Sequence, residues 1–282
     1  MALNTRRLAL PRMMFSLAAA TLAGLGGAHG QSPDTQFSSA RVQSENTEIS
    51  ARRAGERKDF SDAEIADGFF KIAFGAEFQL SGRSDRIRKY DGPIRIFIAN
   101  RAKPDRRRDV VAVLSDIRAR VQNLDINITD DARRANFVVT LVRDRDLLAT
   151  IRSKYGRQPE KRIQQLLNPQ CLSSFRKDGR FRILHSDAIL VVDAGDFKFY
   201  DCAYEELLQA LGPINDDRSV PWTMFNDDVQ MGFFDAYDQY LLNILYHPRI
   251  QPGMTQEQVG AMLSEILPSV RAWVAQANAF AH

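Results

Sequence analysis

The segment Cys202–Asp216, with the sequence CAYEELLQALGPIND, constrains the fold more than any other part of the chain. Its first part has helical spacing, and at about 100° per residue Glu205, Glu206 and Gln209 fall within one arc. The leucines of the segment occupy a separate arc, so the predicted helix has a polar side and an apolar side. The Gly-Pro pair that follows permits a reversal and cannot continue a helix, so Asn215 is able to fold back towards the polar side.

The hydrophobic patterns along the chain predict an α+β fold. The predicted strands are residues 93–98, 125–129, 136–143, 180–185 and 187–192. The predicted helices are residues 61–74, 104–124, 144–155, 160–167, 204–211, 233–246 and a last helix from residue 255. Ser61 with Glu64, and Thr255 with Gln258, have the spacing of capping boxes. We therefore expect a mixed β-sheet with helices packed on it, followed by a helical C-terminal part.

The first 30 residues have the pattern of an export signal. A basic stretch precedes an apolar run, and Ala28 and Gly30 are small residues at the −3 and −1 positions of a signal-peptidase site. Cleavage after Gly30 would leave Gln31 as the first residue of a periplasmic or secreted protein. Residues 31–59 are polar and contain almost no large apolar side chains, which predicts a disordered leader. The predicted organisation is a signal peptide at 1–30, a leader at 31–59 and one domain at 60–282.

Charge and hydrophobic pattern argue against a nucleic-acid partner and against a membrane-spanning segment. Hydrophobic residues make up 44% of the 282 residues, which is enough for a full core. The net charge of +3 is too small to favour a nucleic-acid partner, and the basic stretch 101–108 is interpreted as a solvated helix end. No run after residue 30 is long and apolar enough for a membrane helix, so the mature chain is expected to have no transmembrane segment.

Export changes the interpretation of the two cysteines, Cys171 and Cys202. In an oxidising compartment an even number of cysteines favours a disulfide, here closing a loop of about 30 residues. It would pin the segment before Arg180 to the start of the helix that carries Glu205. The alternative is two buried thiols that act as small apolar residues.

The helix and its turn resemble the motif of the metzincin zinc proteases, H-E-x-x-H-x-x-G-x-x-H, in which three histidines bind zinc and the glutamate polarises the attacking water. Here Glu205, Gln209 and Asn215 occupy the three ligand positions, and Glu206 occupies the position of the general base. The segment WTMF resembles the methionine turn of that family, with Met224 as the candidate methionine. The segments EELLQALGPIND and LLNILYHPRIQPGMT also resemble a family of exported bacterial proteins of unknown function, which looks like a degenerate branch of the zincins.

The replaced ligands argue against ordinary zinc-protease chemistry. Zinc binds histidine nitrogen, cysteine sulfur or carboxylate oxygen, so Glu205 alone among the three positions carries a suitable donor. The histidines of the mature chain, His185, His247 and His282, do not lie on this helix. We therefore assign no metal to the site and expect no cofactor, with zinc or another divalent cation as the alternative that stays open.

The segment retains a set of oxygen donors: Glu205, Glu206, Asp216 and Asp217, followed after the turn by Asn226, Asp227 and Asp228. If these side chains converge, their like charges raise the pKa of at least one carboxyl group. The set is interpreted as a solvated helix face beside an acidic loop, as a binding cleft, or as a hydrolytic site with Glu206 as general base. For the whole protein we predict non-catalytic binding of a peptide, a glycan or an envelope partner. The alternatives are a metal-dependent peptidase and an envelope-assembly protein that acts through its surface.

Overall fold

A mixed five-stranded β-sheet forms the centre of the fold in the computed structural model, which describes residues 46–75, 85–164, 170–213 and 215–279. The strands are β1 (Ile94–Asn100), β2 (Ile126–Ile128), β3 (Phe137–Val142), β4 (Cys171–Lys177) and β5 (Ile183–Val191). They lie in the order β2-β1-β3-β5-β4. Neighbouring strands are parallel except at one edge, where β4 runs antiparallel to β5. The predicted signal peptide lies outside the described residues.

Helices cover the sheet and continue after it, which confirms the predicted α+β class. The helices are α1 (Thr47–Ala54), α2 (Asp62–Ala73), α3 (Arg107–Arg120), α4 (Leu147–Tyr155), α5 (Arg157–Gln164), α6 (Asp196–Gln209), α7 (Ala236–Leu245) and α8 (Gln256–Ala279). Both predicted capping boxes form. The Ser61 amide donates to Glu64 Oε2 at 2.8 Å and the Glu64 amide to Ser61 Oγ at 3.2 Å, and Thr255 and Gln258 exchange the equivalent bonds.

Strand β5 shows how the core is divided between the two faces of the sheet. Ala188 and Leu190 belong to the large core, which includes the apolar side of α6. Ile189 and Val191 point to the other face, where they pack with Leu147 and other residues of α4 and β3 in a smaller cluster. Both faces are therefore covered here, which explains why the second half of the strand, residues 188–191, is entirely apolar.

The strand predictions were wrong in two respects for β4 and β5, at one side of the sheet. Residues 180–185 and 187–192 were predicted as separate strands, but they form the single strand β5. Ser186 does not interrupt it, because its hydroxyl is buried and bonds to Tyr90 Oη and the Ala210 carbonyl, each at 2.8 Å. The edge strand β4 was not predicted, because its sequence CLSSFRK is polar and only partly buried.

Part of the predicted leader is helical in the structure. Helix α1 is capped by Asn46, whose Oδ1 accepts from the Glu48 amide at 2.8 Å. Ile49 is its buried anchor, and the guanidinium groups of Arg52 and Arg53 lie over aromatic rings of the domain at 4.7 and 4.5 Å. The arginines that make these cation–π contacts are polar residues, so the polar composition of the segment does not reveal that it forms a helix on the domain.

Candidate functional site

Helix α6, which carries the candidate site residues, packs against strands β4 and β5. Its apolar side, including Leu207 and Leu208, lies in the core. On the polar side Glu206 and Gln209 are each only 6% exposed, whereas Glu205 is partly exposed. The polar side of this helix is therefore not a solvated face, and the first of the three interpretations of its oxygen donors does not apply to Glu206 and Gln209.

A sharp turn ends the helix as predicted. Gly212 has φ 137°, in the region that favours glycine. A Cβ at this position would lie 2.2 Å from the Arg88 carbonyl oxygen, so no other residue fits without moving the backbone. The close approach to the chain at Arg88 fixes the direction in which the loop leaves α6.

The predicted disulfide between Cys171 and Cys202 is confirmed. It joins the first residue of β4 to the first half of α6, with a Cα–Cα distance of 5.8 Å and a sequence separation of 31 residues. The bond ties the edge of the sheet to the helix that carries Glu205 and Glu206. The relative placement of β4 and the candidate site is thus covalently restrained.

Successive residues of β4 direct their backbone N–H and C=O groups alternately towards β5 and towards the opposite edge of the strand. The Val191 amide donates to the Gln170 carbonyl at 3.1 Å, and the register pairs Ser173 with Ala188. Because antiparallel pairs alternate, the even-numbered residues of β4 bond to β5, and Cys171, Ser173 and Phe175 direct their backbone groups outward. Among the described residues no strand pairs with β4 on that side.

Ser173 connects this edge to α6. Its hydroxyl donates to Gln209 Oε1 at 3.2 Å, and Gln209 Nε2 donates in turn to Asp216 Oδ1 at 3.0 Å. The backbone and side chain of Ser173 also lie beside Glu206, where they lower the pKa of its carboxyl group. This serine was not among the predicted site residues because the strand that carries it was missed.

Asn215, the third predicted ligand position, makes its contacts elsewhere. Its Nδ2 donates to the Lys71 carbonyl at 2.7 Å and its backbone amide to the Ile72 carbonyl at 3.4 Å, both in the last turn of α2. Glu205 and Gln209 therefore share a neighbourhood with Asp216, while the amide nitrogen of Asn215 anchors the loop to another helix. This contact satisfies carbonyl groups that a helix end leaves without an intrahelical partner.

Three carboxylates of the predicted oxygen-donor set converge. One oxygen from each of Glu205, Asp216 and Asp227 can be chosen so that all lie within 4.8 Å of one another. The other members have different partners: Asp217 accepts from the Ser219 amide and hydroxyl at 2.9 and 2.6 Å, and Asn226 Nδ2 donates to the Val220 carbonyl at 3.0 Å. Asp228 lies 3.6 Å from Arg218 on the exposed side of the loop.

The surroundings of Glu205 and Glu206 raise the pKa of both carboxyl groups. The pKa of Glu206 is raised to about 8, mainly by burial and also by the charge of Asp216, while the interactions with Ser173 act in the opposite direction. Its Oε2 has no hydrogen-bond partner among the described residues. Burial also raises the pKa of Glu205 well above its usual range, followed by the charges of Glu206 and Asp216. The site therefore holds more carboxyl groups than it readily ionises.

The candidate methionine turn is rigidly held. Met224 is 3% exposed, and its amide donates to Asp238 Oδ2 at 2.8 Å, while the Thr223 hydroxyl donates to Asp238 Oδ1. Asp238 lies in the first turn of α7, whose N-terminal cap is the buried Asp235. Burial raises the pKa of both aspartates, and their proximity raises that of Asp235 further. The turn after Trp222 is thus fixed to α7 through buried carboxyl groups.

Residues 62–265 match the profile of a protein family of unknown function, DUF2927. The match covers more than half of the chain, so the protein belongs to this family. The predicted membership of a family of unknown function is confirmed to that extent. No curated protein and no solved structure gives a significant match. Within the described residues, no helix has both the length and the apolar character needed to cross a membrane.

Proposed function

We propose that the protein is an exported, non-catalytic binding protein that holds an extended peptide segment along the free edge of β4. The observation that carries this proposal is the outer edge of β4, which no described strand covers and where Cys171 and Phe175 direct backbone groups outward, while the outward backbone of Ser173 faces Glu206. An exposed edge offers main-chain donors and acceptors at a regular spacing, and an added peptide strand uses them for affinity. Side chains of the peptide would then reach Glu205 and its neighbours, which supplies selectivity.

The absence of catalysis is proposed from the chemistry of the ligand positions. Gln209 is hydrogen-bonded to Ser173 and Asp216, and Asn215 is hydrogen-bonded to the end of α2. Neutral amides are poor zinc ligands, and amides that bond to protein groups stabilise the site without an ion. The relationship to zincins is part of the same proposal, supported by the order of α6, the turn at Gly212 and the turn at Met224.

Selection from a phage-displayed library of random peptides of about ten residues, with the chain from Gln31 onward as target, tests peptide binding. Each amide of a selected peptide is then N-methylated in turn. Strand pairing predicts a period of two: N-methylation of every second amide weakens binding about tenfold or more, and N-methylation of the amides between them has little effect. The alternate positions serve as matched controls, because both sets carry the same added methyl group.

Three results would reject the proposal: no peptide is selected, N-methylation has no period of two, or a glycan array gives the only specific binding. A site variant adds a second criterion. Glu205→Ala should change the affinity of the selected peptides, whereas Glu257→Ala, which removes an exposed carboxylate from α8, should not.

A metal-dependent peptidase is the second candidate, favoured by one observation. Glu206 occupies the position of the general base, and its buried Oε2 has no partner among the described residues, so this oxygen is available to a water molecule. This candidate predicts that Glu206→Gln abolishes the cleavage of fluorogenic peptide substrates while the melting temperature stays nearly unchanged. Equal cleavage by the variant and the wild type would exclude it.

A further inference from the structure

The loop between α6 and α7 brings two aspartates to Glu205. Asp216 and Asp227 lie on opposite arms of this loop, and the amide of Asp217 donates to the Phe225 carbonyl at 3.0 Å, which holds the arms together. As a result, one oxygen from each of the three carboxylates lies within 4.8 Å of the others. Three oxygens at this separation surround a point that is at most about 2.8 Å from each, so an approach of a few tenths of an ångström brings all three to the calcium–oxygen distance of about 2.4 Å.

Glu206 gives a second, independent indication of a ligand. It is 6% exposed, and its Oε2 has no hydrogen-bond partner within the described part of the chain. The charge of Asp216 acts on Glu206, and Ser173 beside Glu206 donates to Gln209, which in turn donates to Asp216, so Glu206 lies next to the three converging carboxylates. A buried oxygen without a donor is costly, and a water molecule bound to a cation at this cluster would supply the donor.

Arg218, a basic side chain beside the cluster, is weakly held. The Arg218 guanidinium lies 3.7 Å from Asp227 and 3.6 Å from Asp228, and its side chain is 71% exposed. An exposed pair at this distance contributes little free energy. An ion can therefore replace Arg218 at Asp227 at small cost.

We infer that Glu205, Asp216 and Asp227 bind one hard divalent cation of the calcium class, with water in the remaining coordination positions. The inference does not depend on peptide binding. All donors of the cluster are carboxylate oxygens, which select hard ions, and both cysteines of the chain are in the disulfide. Two donors come from a loop and one from a helix, an arrangement that suits the adaptable coordination of calcium better than the strict octahedron of magnesium.

Isothermal titration of the chelator-treated chain from Gln31 onward with CaCl2 tests the inference. One ion per chain is expected, with a dissociation constant of about 1 mM or lower, as in extracellular calcium modules. Asp227→Asn and Glu205→Gln should each weaken binding about tenfold or more. Asp228→Asn is the matched control, because it removes the same charge from the next residue, and it should change the affinity less than about twofold.

The inference is overturned if CaCl2 gives no saturable binding up to about 10 mM. It is also overturned if Asp228→Asn weakens binding as much as Asp227→Asn, which would indicate a diffuse electrostatic effect. Tighter binding of ZnCl2 at the same residues would contradict the assignment of a hard ion. If Glu205→Gln does not fold, the comparison of the two exposed aspartates remains decisive, and a failed peptide selection leaves this test unaffected.

Discussion

Removal of the Cys171–Cys202 disulfide should lower the free energy of unfolding by about 4 kcal/mol. The bond closes a loop of 31 residues, and the loss of chain entropy that such a loop imposes on the unfolded state corresponds to about 3.7 kcal/mol at 25 °C. Because Cys202 is 1% exposed, Cys202→Ala also leaves a small cavity, which adds about 1 kcal/mol. The double variant Cys171→Ala/Cys202→Ala is therefore expected to lose 4 to 5 kcal/mol, as about the sum of these effects.

Urea denaturation followed by tryptophan fluorescence measures this loss, and a reductant supplies the control. Reduction should destabilise the wild type by nearly as much as the double substitution, and it should leave the double variant unchanged. If reduction lowers the free energy of unfolding of the wild type by less than about 1 kcal/mol, the reasoning is refuted. Such a result would mean that β4 and α6 stay together in the unfolded state without the bond.

Three further predictions concern the backbone, the pH dependence and the N-terminus. Gly212→Ala should lower the free energy of unfolding by about 3 kcal/mol or more, because its Cβ would lie 2.2 Å from a carbonyl oxygen. Gly92→Ala is the control in the same denaturation assay: its Cβ meets nothing within 4 Å, so the loss should be less than about 1 kcal/mol. Burial lowers the pKa of Lys89 to about 8, so the folded protein releases this proton before the unfolded chain does. Relative to Lys89→Met, the wild type should therefore gain stability between about pH 8 and pH 10.5, by at most about 3 kcal/mol, and a constant difference would contradict this. Mass spectrometry of the exported protein should find Gln31 at the N-terminus, and an intact signal segment would reject export by cleavage after Gly30.

Local rules predicted those features that depend on neighbouring residues. The capping boxes at Ser61 and Thr255 and the turn at Gly212 were predicted because their chemistry lies within a few residues. The disulfide was predicted because the chain has two cysteines, so one pairing exists. Strand β3 and the second half of β5 were predicted as strands because burial on both faces gives them apolar sequences, although β5 was divided in two.

Features that depend on distant contacts were missed. Strand β4 has a polar sequence and is defined by its pairing with β5, so neither its existence nor the role of Ser173 follows from its own residues. Asn215 has the spacing of a third ligand, but the end of α2 attracts its amide, and that helix lies far away in sequence. The convergence of Asp227 on Glu205 depends likewise on how the loop closes.

The most direct test of the proposed function is residue-resolved amide hydrogen exchange of β4, with and without a selected peptide. Added strand pairing predicts that the outward amides of Cys171 and Phe175 become protected on binding. The amides of Leu172 and Ser174, which already face β5, should change little by comparison. Binding that protects none of these amides, or protection confined to another surface, would contradict the account.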